Sequence, residues 1–180
     1  MSKLILVLSL IPVVVGVGME LQDGMTQSPQ APEMVRASRN LLLLDNGAFV
    51  EARDGSVAKR LVDWLQVPDR SARVFHLGGV RFEGRARIPT DAARHRVPTL
   101  AKLLIAYPDV RATFIGFTNP TRNRVDDQAV AFARANWVVD ALQKAGINPR
   151  RLSARAATEG EQQLGQRFSP QRVDLELSTQ

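Results

Sequence analysis

The sequence predicts an α+β domain in which strands and helices alternate in the order β-α-β-α-β, followed by one more strand. Two stretches support this prediction. Val110 to Phe117 is apolar on both faces over its last residues, which is typical of a strand inside a sheet. A long amphipathic stretch then runs from about Val125 to Ala145 and stops at Gly146, a residue favoured just after a helix. We expect the helices to pack on one face of a mixed sheet.

Shorter patterns complete the domain on both sides of this pair. Ser56 is suited to cap a helix, and Gly78-Gly79 indicates a bulge or turn within a strand. Asp45-Asn46-Gly47 is a turn signal that predicts a small hairpin between Asn40 and Val50. The other predicted elements are a helix from Ser56 to before Pro68, a strand Val74–Phe82, a helix Thr90–Ala106, and final strands Leu152–Ala157 and Arg172–Leu177.

The N-terminus has the layout of an export signal. Lys3 precedes a nearly continuous apolar run from Leu4 to Met19. The run is short for a membrane helix, which needs about 20 apolar residues, although about 17 can suffice. Cleavage after the small residues Gly16 and Gly18 and retention as a single inner-membrane anchor both remain open. We favour retention, because the cleavage signal is weak and Met19 is still apolar.

The chain therefore divides into three parts. Residues 1–19 form a signal peptide or an apolar membrane-anchoring helix, and residues 20–54 form a linker with the short hairpin-like segment. Within that linker, Glu20 to Pro32 is polar and lacks apolar periodicity. Residues 55–180 form the folded domain together with its preceding short helix. This arrangement predicts a cell-envelope protein, anchored in the inner membrane with its domain in the periplasm, or secreted to the periplasm after cleavage.

Composition argues against several classes of function. The net charge is +6, but the arginines that supply it are spread along the chain, whereas nucleic-acid binding surfaces are usually patches. There is no cysteine, phosphate-binding glycine loop, nucleophile motif or metal-ligand cluster. His76 and His95 are each expected to be surface or packing residues. The sequence therefore predicts neither an enzyme nor a bound cofactor, metal or nucleic acid.

Two motifs at fixed spacing point to a known family. The first is Gly116-Phe117-Thr118-Asn119, and the second runs from Asp127 to Arg134-Ala135 at the start of the long helix. They resemble the Gly-[His/Tyr]-Thr-Asp and Asn-x-x-Leu-Ser-x-x-Arg-Ala motifs of the C-terminal domain shared by outer-membrane protein A and the flagellar stator protein MotB. Phe82-Glu83-Gly84 stands where that family usually has Phe-Asp-x-Gly. The resemblance implies an OmpA-like β-α-β-α-β-β sandwich that binds peptidoglycan.

The resemblance also implies a ligand site. In the family, the aspartate of the first motif accepts from the ammonium of diaminopimelate in the wall peptide, and the arginine clamps its carboxylate. Arg134 keeps the arginine, but Asn119, beside Thr118, replaces the aspartate. Asp127 either restores a negative charge or is a helix N-terminal acid. Arg172 matches an arginine of the family's C-terminal signature. The implied site is therefore Thr118, Asn119, Asp127, Arg134 and Arg172, with no metal.

Two functions remain after these observations. The first is a non-catalytic envelope protein that binds peptidoglycan weakly through the diaminopimelate site. The second is a degenerate OmpA-like domain that has lost wall affinity and acts as a structural or partner-binding subunit of an envelope complex. In both, the N-terminal segment is the contact with the membrane. The apolar run has no acidic residue of the kind that conducts ions in a stator, so no ion transport is expected.

Overall fold

The computed structural model describes residues 40–68 and 70–179. The predicted signal or anchor and the linker up to residue 39 lie outside them, and in the described ranges no helix is long and apolar enough to cross a bilayer. The described elements are β1 (Leu41–Leu43), β2 (Phe49–Glu51), α1 (Val57–Leu65), β3 (Arg73–Arg81), α2 (Asp91–Arg94), α3 (Val97–Ala106), β4 (Val110–Gly116), α4 (Arg124–Lys144), β5 (Leu152–Ala156), α5 (Glu159–Leu164) and β6 (Arg172–Thr179).

Four strands form a mixed sheet in the order β3-β6-β4-β5. β4 pairs parallel with β5 and antiparallel with β6, so the strand predicted to be internal lies inside the sheet. The register of β3 with β6 shifts between His76 and Arg81, at the position of the predicted bulge. β1 and β2 form a separate antiparallel hairpin, and Gly47 adopts a positive φ of 81° in its turn. The predicted α+β class with a mixed sheet is confirmed.

The main core lies between one face of the sheet and three helices. Side chains alternate along a strand, so Val110, Ala112 and Phe114 of β4 share a face, and all three are buried. The same core contains residues of the neighbouring strands and helices: Phe75, Leu77, Val173, Leu175, Leu177, Leu61, Val62, Leu100, Leu104, Val138 and Leu142. On the opposite side, Ile115 and Phe117 form a small cluster with Ala157. The helices α1, α3 and α4 therefore cover one face, as predicted.

Local capping fixes the ends of the two best-predicted helices. The Ser56 hydroxyl accepts from the backbone N–H of Lys59 at 3.1 Å and starts α1. Asn123 does the same for α4, accepting from the N–H of Asp126 at 3.1 Å. After α4, Gly146 takes a φ of 92°, which side chains with a Cβ rarely adopt. These residues mark where α1 begins and where α4 begins and ends.

Two helix predictions need correction. The helix predicted from Thr90 to Ala106 is interrupted between α2 and α3, and the Thr90 side chain makes no capping hydrogen bond. The physical reason is Pro98, which has no N–H to donate to a preceding turn. In addition, the helix α5 lies between the predicted strands Leu152–Ala157 and Arg172–Leu177, where the sequence suggested only a loop. It begins with a capping box in which Thr158 and Glu161 satisfy each other's backbone N–H groups.

The end of β4 lies unusually close to α4. A Cβ placed on Gly116 would lie 1.8 Å from the carbonyl oxygen of Ala131, so only glycine fits there. Gly116 is therefore required for the backbone of the strand to touch the backbone of the helix. This contact brings the segment after β4, which begins with Phe117, against the first turns of α4.

Candidate functional site

A groove of about 620 Å³ opens where β4 ends and α4 begins. One wall is the segment that follows β4 together with the first turns of α4, and the other is the segment that contains α5. An ion pair between Arg124 and Glu159 joins residues of the two walls. Three of the five predicted site residues line the groove, namely Asn119, Asp127 and Arg172.

Asp127 provides a buried negative charge at the groove. It is 7% exposed and accepts from the backbone N–H of Thr121 at 2.5 Å, from the Thr121 hydroxyl at 2.9 Å and from Arg85 at 2.8 Å. Burial acts to raise the pKa of the Asp127 carboxyl, but the hydrogen bonds from Thr121 and Arg85 outweigh it and hold the pKa below its ordinary value. Asp127 is therefore a carboxylate at neutral pH. Asn119 is exposed beside it and is uncharged.

Arg134 is fully buried and does not line the groove. Its guanidinium donates to three backbone carbonyls, those of Gly84 at 2.6 Å, Phe117 at 2.7 Å and Ala86 at 2.9 Å. It also lies over the Phe82 ring, 4.9 Å from the centroid. No carboxylate among residues 40–68 and 70–179 forms an ion pair with it. Burial lowers the pKa of Arg134 to about 10, so the side chain stays charged at neutral pH.

The segment Glu83–Arg87, which we call the strap, covers Arg134. Two of the three carbonyls that Arg134 reaches belong to it, and Gly84 takes a positive φ of 48° to present them. Arg85 of the strap forms ion pairs with both Asp126 and Asp127 in the first turn of α4. The hydrogen bond to Asp127 is the main reason that the pKa of Arg85 is raised above its ordinary value. The strap is thus fastened to α4 at both Arg85 and Arg134.

The role of Arg85 was not predicted from the sequence. One signal was available, because two adjacent acids at the start of α4 attract a cation. The sequence alone does not show which of the many arginines supplies it, since Arg85 and Asp127 are 42 residues apart.

Thr118 lies in the chain between Phe117 and Asn119, two residues that line the groove. It follows Phe117, whose carbonyl accepts from Arg134, and it is completely buried. Its hydroxyl oxygen has no hydrogen-bond partner among the described residues. Such an unsatisfied buried hydroxyl costs about 1–3 kcal/mol, so a group able to bond to it would be stabilised there.

Arg172 forms part of the groove wall, and two of its three guanidinium nitrogens donate hydrogen bonds within the fold. Its Nε donates to both carboxylate oxygens of Asp174 at 3.1 Å, and Nη1 donates to the Ser169 carbonyl at 3.0 Å. The guanidinium stacks on Phe117, 3.6 Å from the ring centroid. A Cβ on Gly165 would lie 2.4 Å from Nη2, so this chain segment passes close to the guanidinium. Arg172 thus holds the second wall of the groove in place.

The two histidines do not form a pair. His76 lies on the sheet face opposite the main core, where its Nδ1 is 2.9 Å from Asp174 and its ring stacks on Phe168. This contact fits the expected packing role. His95 caps the end of α2. Among the described residues, no group of three or more His, Cys, Asp or Glu could hold a metal ion.

Neither a protein-family model nor a curated protein matches this sequence significantly. Solved structures do match its fold. A putative MotB-like protein from Desulfovibrio vulgaris aligns at a TM-score of 0.50 and 19% identity, over 69% of this chain and 90% of that chain. The periplasmic domain of Helicobacter pylori MotB gives 0.45 and 24%, over 63% and 76%. The peptidoglycan-associated lipoprotein from Burkholderia pseudomallei gives 0.44 and 18%, over 56% and 88%.

The similarity to the Desulfovibrio protein confirms, at the level of the fold, the resemblance that the motifs predict. The described domain is an OmpA-like fold with a four-stranded mixed sheet.

Proposed function

We propose that this chain is a non-catalytic cell-envelope protein whose OmpA-like domain binds peptidoglycan weakly through the diaminopimelate residue of the wall peptide. The observation that supports this most directly is the groove at the end of β4. It is lined by the carboxylate of Asp127 and the amide of Asn119, and the buried cation Arg134 donates to the carbonyl of Phe117, which also lines the groove. A zwitterionic ligand needs one anion and one cation at a fixed separation, and arginine suits a carboxylate.

The chemistry of the groove also explains why the binding should be weak. Asn119 offers a neutral amide oxygen where the family has a carboxylate, and a charge-assisted hydrogen bond is about twice as strong as a neutral one. Asp127, a carboxylate in the groove, already accepts from Thr121 and Arg85. A ligand ammonium would therefore have to compete with an arginine for this anion.

A second candidate function rests on Arg134. Because its guanidinium is occupied by three backbone carbonyls, the side chain can serve the fold alone. In that case the domain is a structural or partner-binding subunit of an envelope complex, and the groove has lost its affinity for the wall.

Sedimentation with purified peptidoglycan separates the two functions. We expect the full-length protein to sediment with walls that contain diaminopimelate and to be released by a free stem peptide that ends in this residue. The same peptide with lysine in its place is the control, because it keeps the ammonium and lacks the second carboxylate. Protein that stays in the supernatant at every wall concentration would exclude the wall-binding function and favour the partner-binding one.

We also propose that the N-terminal segment exports the domain to the periplasm, where it remains anchored to the inner membrane or is released after cleavage. The support is the charge of Lys3 followed by the apolar run from Leu4 to Met19. An enzyme reporter that is active only in the periplasm, fused after Gln180, should be active. Removal of residues 2–19 should abolish that activity, and activity of a cytoplasmic reporter alone would exclude export.

A further inference from the structure

The contacts of the strap match those expected of a bound zwitterionic ligand. The side chain of Arg85 bridges Asp126 and Asp127, so a cation already occupies the anionic part of the site. The backbone carbonyl oxygens of Gly84 and Ala86, on either side of Arg85 in the chain, accept from Arg134 at 2.6 and 2.9 Å. Three consecutive residues, 84–86, thus present both a cation and oxygen acceptors to α4.

The hydrogen bonds of Arg134 indicate that the strap occupies the place of a ligand that would bind this guanidinium more strongly. A buried charge is costly unless it is paired, and the acceptors of Arg134 among the described residues are all neutral carbonyls. A carboxylate would form stronger, charge-assisted hydrogen bonds with the same guanidinium. The hydroxyl of Thr118, the residue after Phe117, is buried and has no partner among the described residues. An anion with oxygen atoms would satisfy Arg134 better than the strap does, and an anion that also reached Thr118 would satisfy its hydroxyl.

The contacts of the strap also allow it to detach from α4. Arg85 is on the surface, with its side chain 39% exposed, so its ion pairs with Asp126 and Asp127 are screened by water. Each residue of the strap is exposed to solvent, and the strap lies between β3 and α2 without regular secondary structure. Its release would uncover Arg134 without disturbing the apolar core, to which no residue of the strap belongs.

We propose that the strap Glu83–Arg87 is an internal occupant of the binding site, and that a zwitterionic ligand binds by displacing it. Arg85 takes the place of the ligand ammonium at Asp126 and Asp127, and the carbonyls of Gly84 and Ala86 take the place of its carboxylate at Arg134. This inference rests on the proposed wall-binding function. It makes the strap an autoinhibitory segment, because the fraction of molecules with the strap open limits the apparent affinity.

The test uses two arginines of the same strap. Arg85→Gln removes the charge that fastens the strap, and Arg87→Gln removes an equal charge from an exposed residue that forms no ion pair with the described residues. Both variants are made in the full-length protein. The first measurement is hydrogen exchange of the Arg134 Nε–H by NMR, which reports on the strap without any ligand. We expect exchange to be faster by about tenfold or more in Arg85→Gln and unchanged in Arg87→Gln. Equal protection in both variants would overturn the proposal.

The second measurement is the affinity for a stem peptide that ends in diaminopimelate, determined by calorimetric titration. If the strap is open in about a tenth of wild-type molecules, Arg85→Gln should bind about tenfold more tightly. Arg87→Gln should bind like the wild type. If the wild type and Arg85→Gln bind with equal, measurable affinity, the strap is not an occupant, while the wall-binding function stands. If neither binds at millimolar peptide, the wall-binding function fails and the inference falls with it.

Discussion

Arg134 and Arg151 are held in the same way, although they lie in different parts of the fold. Each guanidinium donates to three backbone carbonyls. Arg134 reaches Gly84, Ala86 and Phe117, and Arg151 reaches the carbonyls of Leu104, Tyr107 and Val110 at 2.9, 2.7 and 2.8 Å. Only Arg134 lies next to the groove and below the strap. The pair therefore allows the structural role of such an arginine to be separated from a role in binding.

The first prediction concerns these two arginines. We expect Arg134→Ala and Arg151→Ala to lower the free energy of unfolding by a similar amount, about 3 kcal/mol, because each removes the charged donor of three backbone carbonyls. Only Arg134→Ala should also weaken sedimentation with peptidoglycan, by about 1.5 to 3 kcal/mol, the value of a charge-assisted hydrogen bond. Urea unfolding and wall sedimentation measure the two quantities.

Circular dichroism at the temperature of the binding experiment serves as the control for both variants. It ensures that only folded protein is compared. If folded Arg134→Ala sediments with walls as well as Arg151→Ala does, then Arg134 contributes to the fold alone and the role transferred from the family is wrong.

The second prediction concerns the contact between β4 and α4. Gly116→Ala should destabilise the domain by about 3 kcal/mol or more, because the new Cβ would overlap the Ala131 carbonyl and neither backbone can move freely. Gly160→Ala is the matched control. Gly160 lies exposed in α5 with nothing within 4 Å of a Cβ, so alanine there should raise stability by up to about 1 kcal/mol. Thermal unfolding of both variants checks the contrast, and equal effects would contradict the close approach.

Much of this fold is predictable from local pattern. Ser56 and Gly146 mark helix ends through their own side-chain and backbone chemistry, and both do so in the structure. α5 was missed for a physical reason. Its six residues, Glu159–Leu164, contain one large apolar side chain, Leu164, and so show no apolar periodicity; only the Thr158–Glu161 capping box indicates that a helix begins. Similarly, Pro98 interrupts the helix that the spacing of the apolar residues around it predicts.

The candidate site was harder to predict from the sequence than the fold. Motif spacing placed Asn119, Asp127 and Arg134 in one region, and the backbone of Phe117 does contact Arg134. That spacing could not show that the strap lies over Arg134, because Arg85 pairs with Asp127 across 42 residues. Such a contact depends on how β3, α2 and α4 pack, which no local pattern records. Burial of a motif residue likewise becomes visible only in three dimensions.

The third prediction concerns the pH dependence of stability. Arg155 binds Glu161 through two hydrogen bonds of 2.7 Å, and Thr158 adds a backbone N–H at 2.8 Å. The bond from Arg155 is the main reason that the pKa of Glu161 falls from 4.5 to about 2. Because this pKa is lower in the folded protein, the stabilisation is complete above the ordinary value of 4.5 and is lost as the pH falls toward 2.

We therefore expect Glu161→Gln to lower the free energy of unfolding by about 1 kcal/mol at pH 7. The full pKa shift would suggest more, but the two side chains are 37% and 32% exposed and water screens the pair. The difference from the wild type should shrink between pH 4.5 and pH 2, in urea unfolding at several pH values. Glu159→Gln, in an ion pair that is far more exposed, should have little effect at any pH. A difference for Glu161→Gln that stays constant with pH would contradict the ion pair.

The fourth prediction restores the missing anion of the groove. Asn119 is exposed at the groove wall, so Asn119→Asp places a carboxylate there without burying a charge. We expect tighter binding of a stem peptide that ends in diaminopimelate, by about 1 kcal/mol, the difference between a neutral and a charge-assisted hydrogen bond. A peptide that ends in 2-aminopimelate keeps the carboxylate but lacks the ammonium, so the substitution should not strengthen its binding. Calorimetric titration of both peptides gives the comparison. An equal gain with the two peptides would show that the new carboxylate does not face the ammonium, and the placement of the ligand along Asn119 and Asp127 would then be wrong.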